Sequence, residues 1–228
     1  MPMSWLAGVK RAVSVLAAMS VLPPSAPAAD IEALTRALNR TIPEDTLVVR
    51  LVGRIDSVTA DELAAAWSAR PDGIDRLLLD LESPGGSLAA TEQVIAALGA
   101  IRAGARVDTL VRHGAMCASA CVAVFMQGED RAAGGASVWM FHGVCYADSN
   151  VPSLSQTGRF LDLLRDAGAS EDFLCRLEDE GFVTTAGKLW ISGYELYHVY
   201  KANVITRLLE PWRRESPILP ERMPFAPR

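Results

Sequence analysis

The sequence predicts an α/β fold of repeated strand–helix units with a helical C-terminal part. Apolar, β-rich runs begin near residues 76, 106 and 137, about thirty residues apart, which is the length of a strand plus its crossover helix. Between them lie segments with apolar residues at helical spacing, Val94, Leu98 and Ile101 among them. Arg76–Leu81 (RLLLDL) is nearly continuous in apolar residues, as in a strand buried on both faces of a parallel sheet. Strands joined in this way stack through right-handed crossovers.

Each element follows in order. Thr46–Gly53 (TLVVRLVG) alternates and is β-rich, so it is a strand, and Ser57–Ala69 follows as a helix opened by a serine of N-cap type. After Arg76–Leu81, Pro84-Gly85-Gly86 turns the chain into a helix over Ser87–Ala103. Arg106–Arg112 (RVDTLVR) is the next strand, and a corner of small residues leads to an apolar helix around Ala118–Met126. Ser137–Phe141 (SVWMF) is the third strand of the series. Leu154–Ala167 and Glu171–Glu180 are amphipathic helices, the first with Phe160, Leu161 and Leu164 on its apolar side. Leu189–Ser192 and Val204–Leu208 read as short closing strands around a helix at Tyr194–Tyr200. Residues 209–228 form a Pro-rich tail; with Trp212 and Phe225 in it, the tail reads either as disordered or as a segment packed on a neighbour.

The 228 residues are 50% hydrophobic and 21% charged, too apolar for a disordered chain. A net charge of -5 argues against a nucleic-acid partner, which would call for a basic face. The first 28 residues read as a signal peptide. Lys10 and Arg11 form a positive n-region, Ala12–Leu22 is apolar, and Ala26-Pro27-Ala28 offers the small side chains signal peptidase needs. The apolar run is too short to span a bilayer. Cleavage after Ala28 removes both cations and no acid, taking the net charge to -7. The expected product is a domain over residues 29–208 plus the tail, exported to the periplasm or outside, with no membrane span.

Cys117, Cys121, Cys145 and Cys175 all fall in the mature region, where one or two disulfides can persist. Four cysteines allow three complete connectivities, and the sequence leaves the choice open. With no C-x-x-C pair and three histidines, no metal site and no cofactor is expected.

Two corners carry chemistry. Ser83-Pro84-Gly85-Gly86 joins a buried strand to a helix, and its glycines leave backbone N–H groups uncovered at a helix start. Such groups suit a tetrahedral oxyanion or a phosphate, but no lysine follows, so this is not a nucleotide P-loop. Cys117-Ala118-Ser119-Ala120-Cys121 opens the helix one unit later. A serine there is ordinarily just an N-cap. His142, at the end of the next strand, changes its meaning, because adjacent strands end near one edge and a base there can reach the hydroxyl. His113 and His198 read as structural, and Trp139, Trp190 and Trp212 as core or interface residues.

LLLDLESPGG, then the elbow at Ser119, then SVWMFHG resemble the Clp protease proteolytic-subunit family within the Clp/crotonase superfamily. The likeness covers roughly residues 46 to 208. It is nearest to the exported branch, where S-A-C (Ser119–Cys121) and W-I-x-x-x-E-L (Trp190–Leu196) are typical. The resemblance implies a Clp/crotonase-type spiral of ββα units, Ser119 as nucleophile and His142 as general base. It implies an oxyanion hole from Gly85, Gly86 and Ala120, and a homo-oligomer. The orienting acid is missing: Gly187-Lys188 stands where the family's Asp belongs. Glu178, Asp179, Glu180 and Asp148 are alternatives without the expected spacing, and Lys188 raises a Ser–Lys dyad, which would need a desolvated amine.

The leading expectation is an exported, ATP-independent serine hydrolase, a peptidase acting on peptides or unfolded segments. The alternative is a non-catalytic relative with a degraded triad, used for binding or assembly. Thioester chemistry of the crotonase kind comes last, since an exported protein meets little coenzyme A.

Overall fold

The computed structural model describes residues 42–146 and 151–209. The expected leader, Asp148 and the tail beyond Leu209 lie outside the described residues, so nothing structural attaches to them.

The fold is mixed α/β around a parallel sheet. The strands are β1 (Thr46–Val52), β2 (Arg76–Glu82), β3 (Arg106–Val111), β4 (Met116–Ala118), β5 (Arg131–Gly134), β6 (Val138–Phe141), β7 (Leu189–Ser192) and β8 (Arg207–Leu209). The helices are α1 (Thr59–Ser68), α2 (Leu88–Arg102), α3 (Ala120–Phe125), α4 (Leu154–Asp166), α5 (Glu171–Asp179) and α6 (Gly193–His198). A five-stranded sheet runs β1-β2-β3-β5-β8, parallel throughout. The thirty-residue spacing is its register over the first three strands: Thr46 pairs with Arg76, and Arg76 with Arg106. The strand expected next in the series, Ser137–Phe141, is instead β6 of the second sheet, and β5 takes the place beside β3. A second sheet holds β4-β6-β7, with β4 and β6 parallel and β7 antiparallel.

The two sheets are stitched by the loops that leave the first. Parallel bridges join Ile55 to Gly86 and Ser83 to Cys117. The chain runs β3 to β4 and then β5 to β6, visiting the large sheet and then the small one each time. The ends of β4 and β6 therefore meet side by side.

A large apolar cluster fills the space between the sheets and helices, and a smaller one, Val48, Leu78, Leu110, Ala132 and Leu209, is formed by strands of the large sheet. The large cluster includes Leu79, Leu98, Phe125, Trp139 and Phe141, all buried. Trp139 packs edge-on to Phe125 at 4.9 Å and donates its indole N–H to Ser137 Oγ. The helical part belongs to this same core: Phe160, Leu161, Leu164, Phe173 and Leu177 are buried in it, and Phe173 meets Phe141 edge-on at 5.1 Å. Burying such aromatic pairs is worth about 0.5–1.5 kcal/mol beyond their area, and here it fixes the end of β6.

Several boundaries differ from the sequence reading for local reasons. The helix expected over Ala118–Met126 begins only at Ala120, because Met116–Ala118 pairs with β6. Strand β5 is made of Arg-Ala-Ala-Gly, without β-branched residues, and is held by its neighbours β3 and β8. Ser57 does not cap α1; Asp56 Oδ1 instead accepts the Val58 N–H and the Thr59 hydroxyl. Helix α6 starts at Gly193 because Ser192 and Glu195 form a capping box. The last strand is Arg207–Leu209 rather than Val204–Leu208, since the Arg131 guanidinium takes the carbonyls of Asn203 and Val204.

Candidate active site

Ser119 occupies the joint between β4 and α3 with φ +55° and ψ -126°, a conformation that costs a non-glycine residue energy. Its hydroxyl makes no cap for α3. It lies 2.8 Å from Nε2 of His142 instead. The pairing of Ala118 with Met140 sets this up, and the Ser119 N–H donates to the Met140 carbonyl at 2.7 Å. Strand ends in register thus deliver a hydroxyl and an imidazole to one point.

The strained elbow is braced on three sides. A disulfide joins Cys117 to Cys121, two residues either side of Ser119, and both sulfurs belong to fully buried residues. Ala118 donates its N–H to the Ser83 carbonyl. Gly85, at φ +89°, backs directly onto the elbow: a Cβ there would lie 2.6 Å from the Ala118 carbonyl and 2.9 Å from Ser119 Cβ. Only glycine fits that approach.

A cavity of about 180 Å³ opens at the pair. Gly86 and Ala120 lie on its wall. Among the described residues, neither of their N–H groups donates to a protein acceptor. Gly85 differs, because its N–H is committed to Ser83 Oγ at 3.0 Å, so its part is the turn and the close approach. Pro84, Leu88, Val144 and Phe160 give the remaining wall apolar surface, and Arg54 adds a charged side chain to it.

His142 is half-buried, and its pKa is held below the ordinary 6.5 first by burial and then by the charge of Lys188. A hydrogen bond with the Gly143 backbone acts the other way. The ring is therefore biased toward the neutral form, which can accept the serine proton. Among the described residues, no carboxylate hydrogen-bonds to His142. Glu178, Asp179 and Glu180 are exposed, and Glu180 is paired with Arg176. Lys188 is exposed as well, which is the wrong setting for the amine of a Ser–Lys dyad.

The other singled-out residues lie elsewhere or do something else. His113 is exposed and accepts the Ala136 N–H through Nδ1. His198 makes ring contacts with Tyr194 and Tyr197. Trp139 is core, whereas Trp190 is 53% exposed. Cys145 and Cys175 are free thiols, and Cys145 lies on the cavity wall. Among the described residues, no group of His, Cys, Asp or Glu is arranged to hold a metal ion.

No family model matches the chain, and no curated protein matches it. The chemistry therefore rests on the geometry. A serine in contact with a neutral imidazole, beside two unengaged backbone N–H groups, has the parts for acyl transfer. Sequence reasoning missed Arg54 and Phe160, which also line the cavity. The signal for Arg54 was the shared register: β1 and β2 run in step to Val52 and Glu82, so residues just past β1 meet the Gly85-Gly86 corner.

Proposed function

We propose that the chain is an exported serine hydrolase on a Clp/crotonase-type spiral of ββα units, cleaving peptides or unfolded segments without ATP. The 2.8 Å contact between Ser119 Oγ and His142 Nε2 carries this reading. Ser119 Oγ attacks the substrate carbonyl carbon while its proton passes to Nε2. The tetrahedral oxyanion is stabilised by the N–H groups of Gly86 and Ala120. Collapse breaks the C–N bond, His142 returns the proton to the leaving amine, and water then releases the acyl group by the reverse sequence. Export is supported by the Cys117–Cys121 disulfide. No helix among the described residues is long and apolar enough to cross a membrane.

A fluorophosphonate probe tests the proposal: it should label purified protein at Ser119, and Ser119→Ala should abolish labelling. Labelling that survives the substitution, or an unreactive wild-type protein, overturns it. The second reading, a non-catalytic binding or assembly protein, is favoured by one observation, the cation beside His142 where an acid belongs. An unreactive protein that still binds unfolded peptides would support it.

A further inference from the structure

Arg54 differs from every other arginine among the described residues. Most of them pair with a carboxylate, as Arg50 does with Glu82 and Arg207 with Asp130. Arg70, Arg102 and Arg131 donate to backbone carbonyls. Among the described residues no ion pair or hydrogen bond holds the Arg54 side chain, and it stands on the wall of the cavity at Ser119. The bridge between Ile55 and Gly86 fixes its backbone beside the glycine corner.

The surroundings reinforce its charge. Among the described residues, no Asp or Glu lines the cavity. Helix α2, fifteen residues long, opens at Leu88 on the same wall and turns the positive end of its dipole there. Lys188, just before Leu189, lies beside His142, just after Phe141, and adds a second cation that no ion pair holds among the described residues. In a chain of net charge -5, this is a local concentration of positive charge around a reactive pair. An unpaired guanidinium presents a planar fork of donors matched to a carboxylate.

We propose that this site takes substrates with a carboxylate near the reacting carbonyl, and that Arg54 is the residue that holds it. The inference rests on the hydrolase reading of Ser119 and His142. Two sources share the chemistry: an acidic side chain, or the C-terminal carboxylate of a peptide.

Ser119→Ala protein, which cannot turn substrate over, separates binding from chemistry. Three short N-acetylated peptides are titrated calorimetrically: one with Glu and an amidated end, the same with Gln, and the Gln peptide with a free C-terminus. At least one carboxylate peptide should bind about tenfold more tightly than the amidated Gln peptide. The preference should shrink as salt rises and vanish in Ser119→Ala/Arg54→Gln. A tighter Glu peptide assigns the side chain as source, and a tighter free end assigns the terminus. Equal binding of all three, binding of none, or a preference that survives Arg54→Gln overturns the proposal. Probe labelling of wild-type protein is read separately. Labelling without a carboxylate preference sinks this inference alone, and a preference without labelling sinks the hydrolase reading.

Discussion

Lys188 and His142 each stand one residue past the final Phe141–Leu189 pair of the antiparallel β6–β7 ladder, and the ammonium charge disfavours the protonated imidazole. In a Ser-His-Asp site an acid stabilises the imidazolium formed during attack. Here the neighbouring strand supplies the opposite sign. His142 stays neutral to lower pH than a free histidine, and an imidazolium formed there would gain little support.

This relation predicts the pH profile. The rate of fluorophosphonate labelling should retain activity on the acid side of pH 6.5, the ordinary imidazole value. Lys188→Glu should move the acid limb to higher pH and raise the plateau rate, with Lys188→Met giving a smaller shift. An unmoved limb in Lys188→Glu would show that the cation does not act on His142. Stability follows the same sign. The unfolded chain binds the His142 proton more readily than the folded one, so folding weakens as pH falls from 6.5 to the depressed folded value. His142→Gln should remove that part of the acid sensitivity in thermal melts.

His142→Ala tests the base directly. Labelling of Ser119 should slow roughly a hundred- to ten-thousand-fold, the usual worth of a positioned general base. The melting temperature should change little, since the ring is only half-buried. A labelling rate within twofold of wild type would remove His142 from the chemistry.

The glycine corner gives a ranked prediction. Gly85→Ala places a Cβ 2.6 Å from the Ala118 carbonyl, and Gly86→Ala places one 1.9 Å from the Ile55 carbonyl. Each should cost more than about 2 kcal/mol and silence Ser119. Gly73 also has positive φ but faces open space. Gly73→Ala should therefore cost only about 1 kcal/mol and leave labelling intact. Chemical denaturation and probe kinetics on the three variants check the order.

The disulfide gives the fourth. Replacing both Cys117 and Cys121 by Ala removes a very short loop closure, worth roughly 2 kcal/mol. It also frees the backbone on either side of Ser119. Labelling should fall by more than the loss of folded protein accounts for, measured below the melting transition. Equal losses of folding and labelling would mean that the bridge stabilises the fold without shaping the elbow.

The large sheet was legible where apolar pattern decides structure. β1, β2 and β3 carry long β-rich runs, and their thirty-residue spacing is the strand register itself. Ser119 and His142 were read as neighbours at strand ends, and they are, but on β4 and β6 of the second sheet rather than on the large sheet's series. β4 and β5 were not legible, because Met-Cys-Ala and Arg-Ala-Ala-Gly have no period and are strands only by virtue of their partners. The choice among cysteine pairings needed three dimensions, and so did Gly85's role, since the Ser83 hydroxyl that occupies its N–H is itself placed by the bridge to Cys117. Arg54 was hidden for a related reason: its position on the cavity wall depends on where the chain goes after a strand, which composition does not record.

One consequence concerns the order in which the molecule can be finished. β8 follows β5 by about seventy residues, yet the two are hydrogen-bonded neighbours, Ala133 against Leu208. During synthesis from the N-terminal end, β5 waits with an open edge until residues 207–209 emerge. Any part between, including β6 with its histidine and the helices packed behind it, that folds before then does so beside an incomplete sheet. A chain stalled or cut before Arg207 therefore presents an exposed parallel strand, the kind of edge on which chains aggregate.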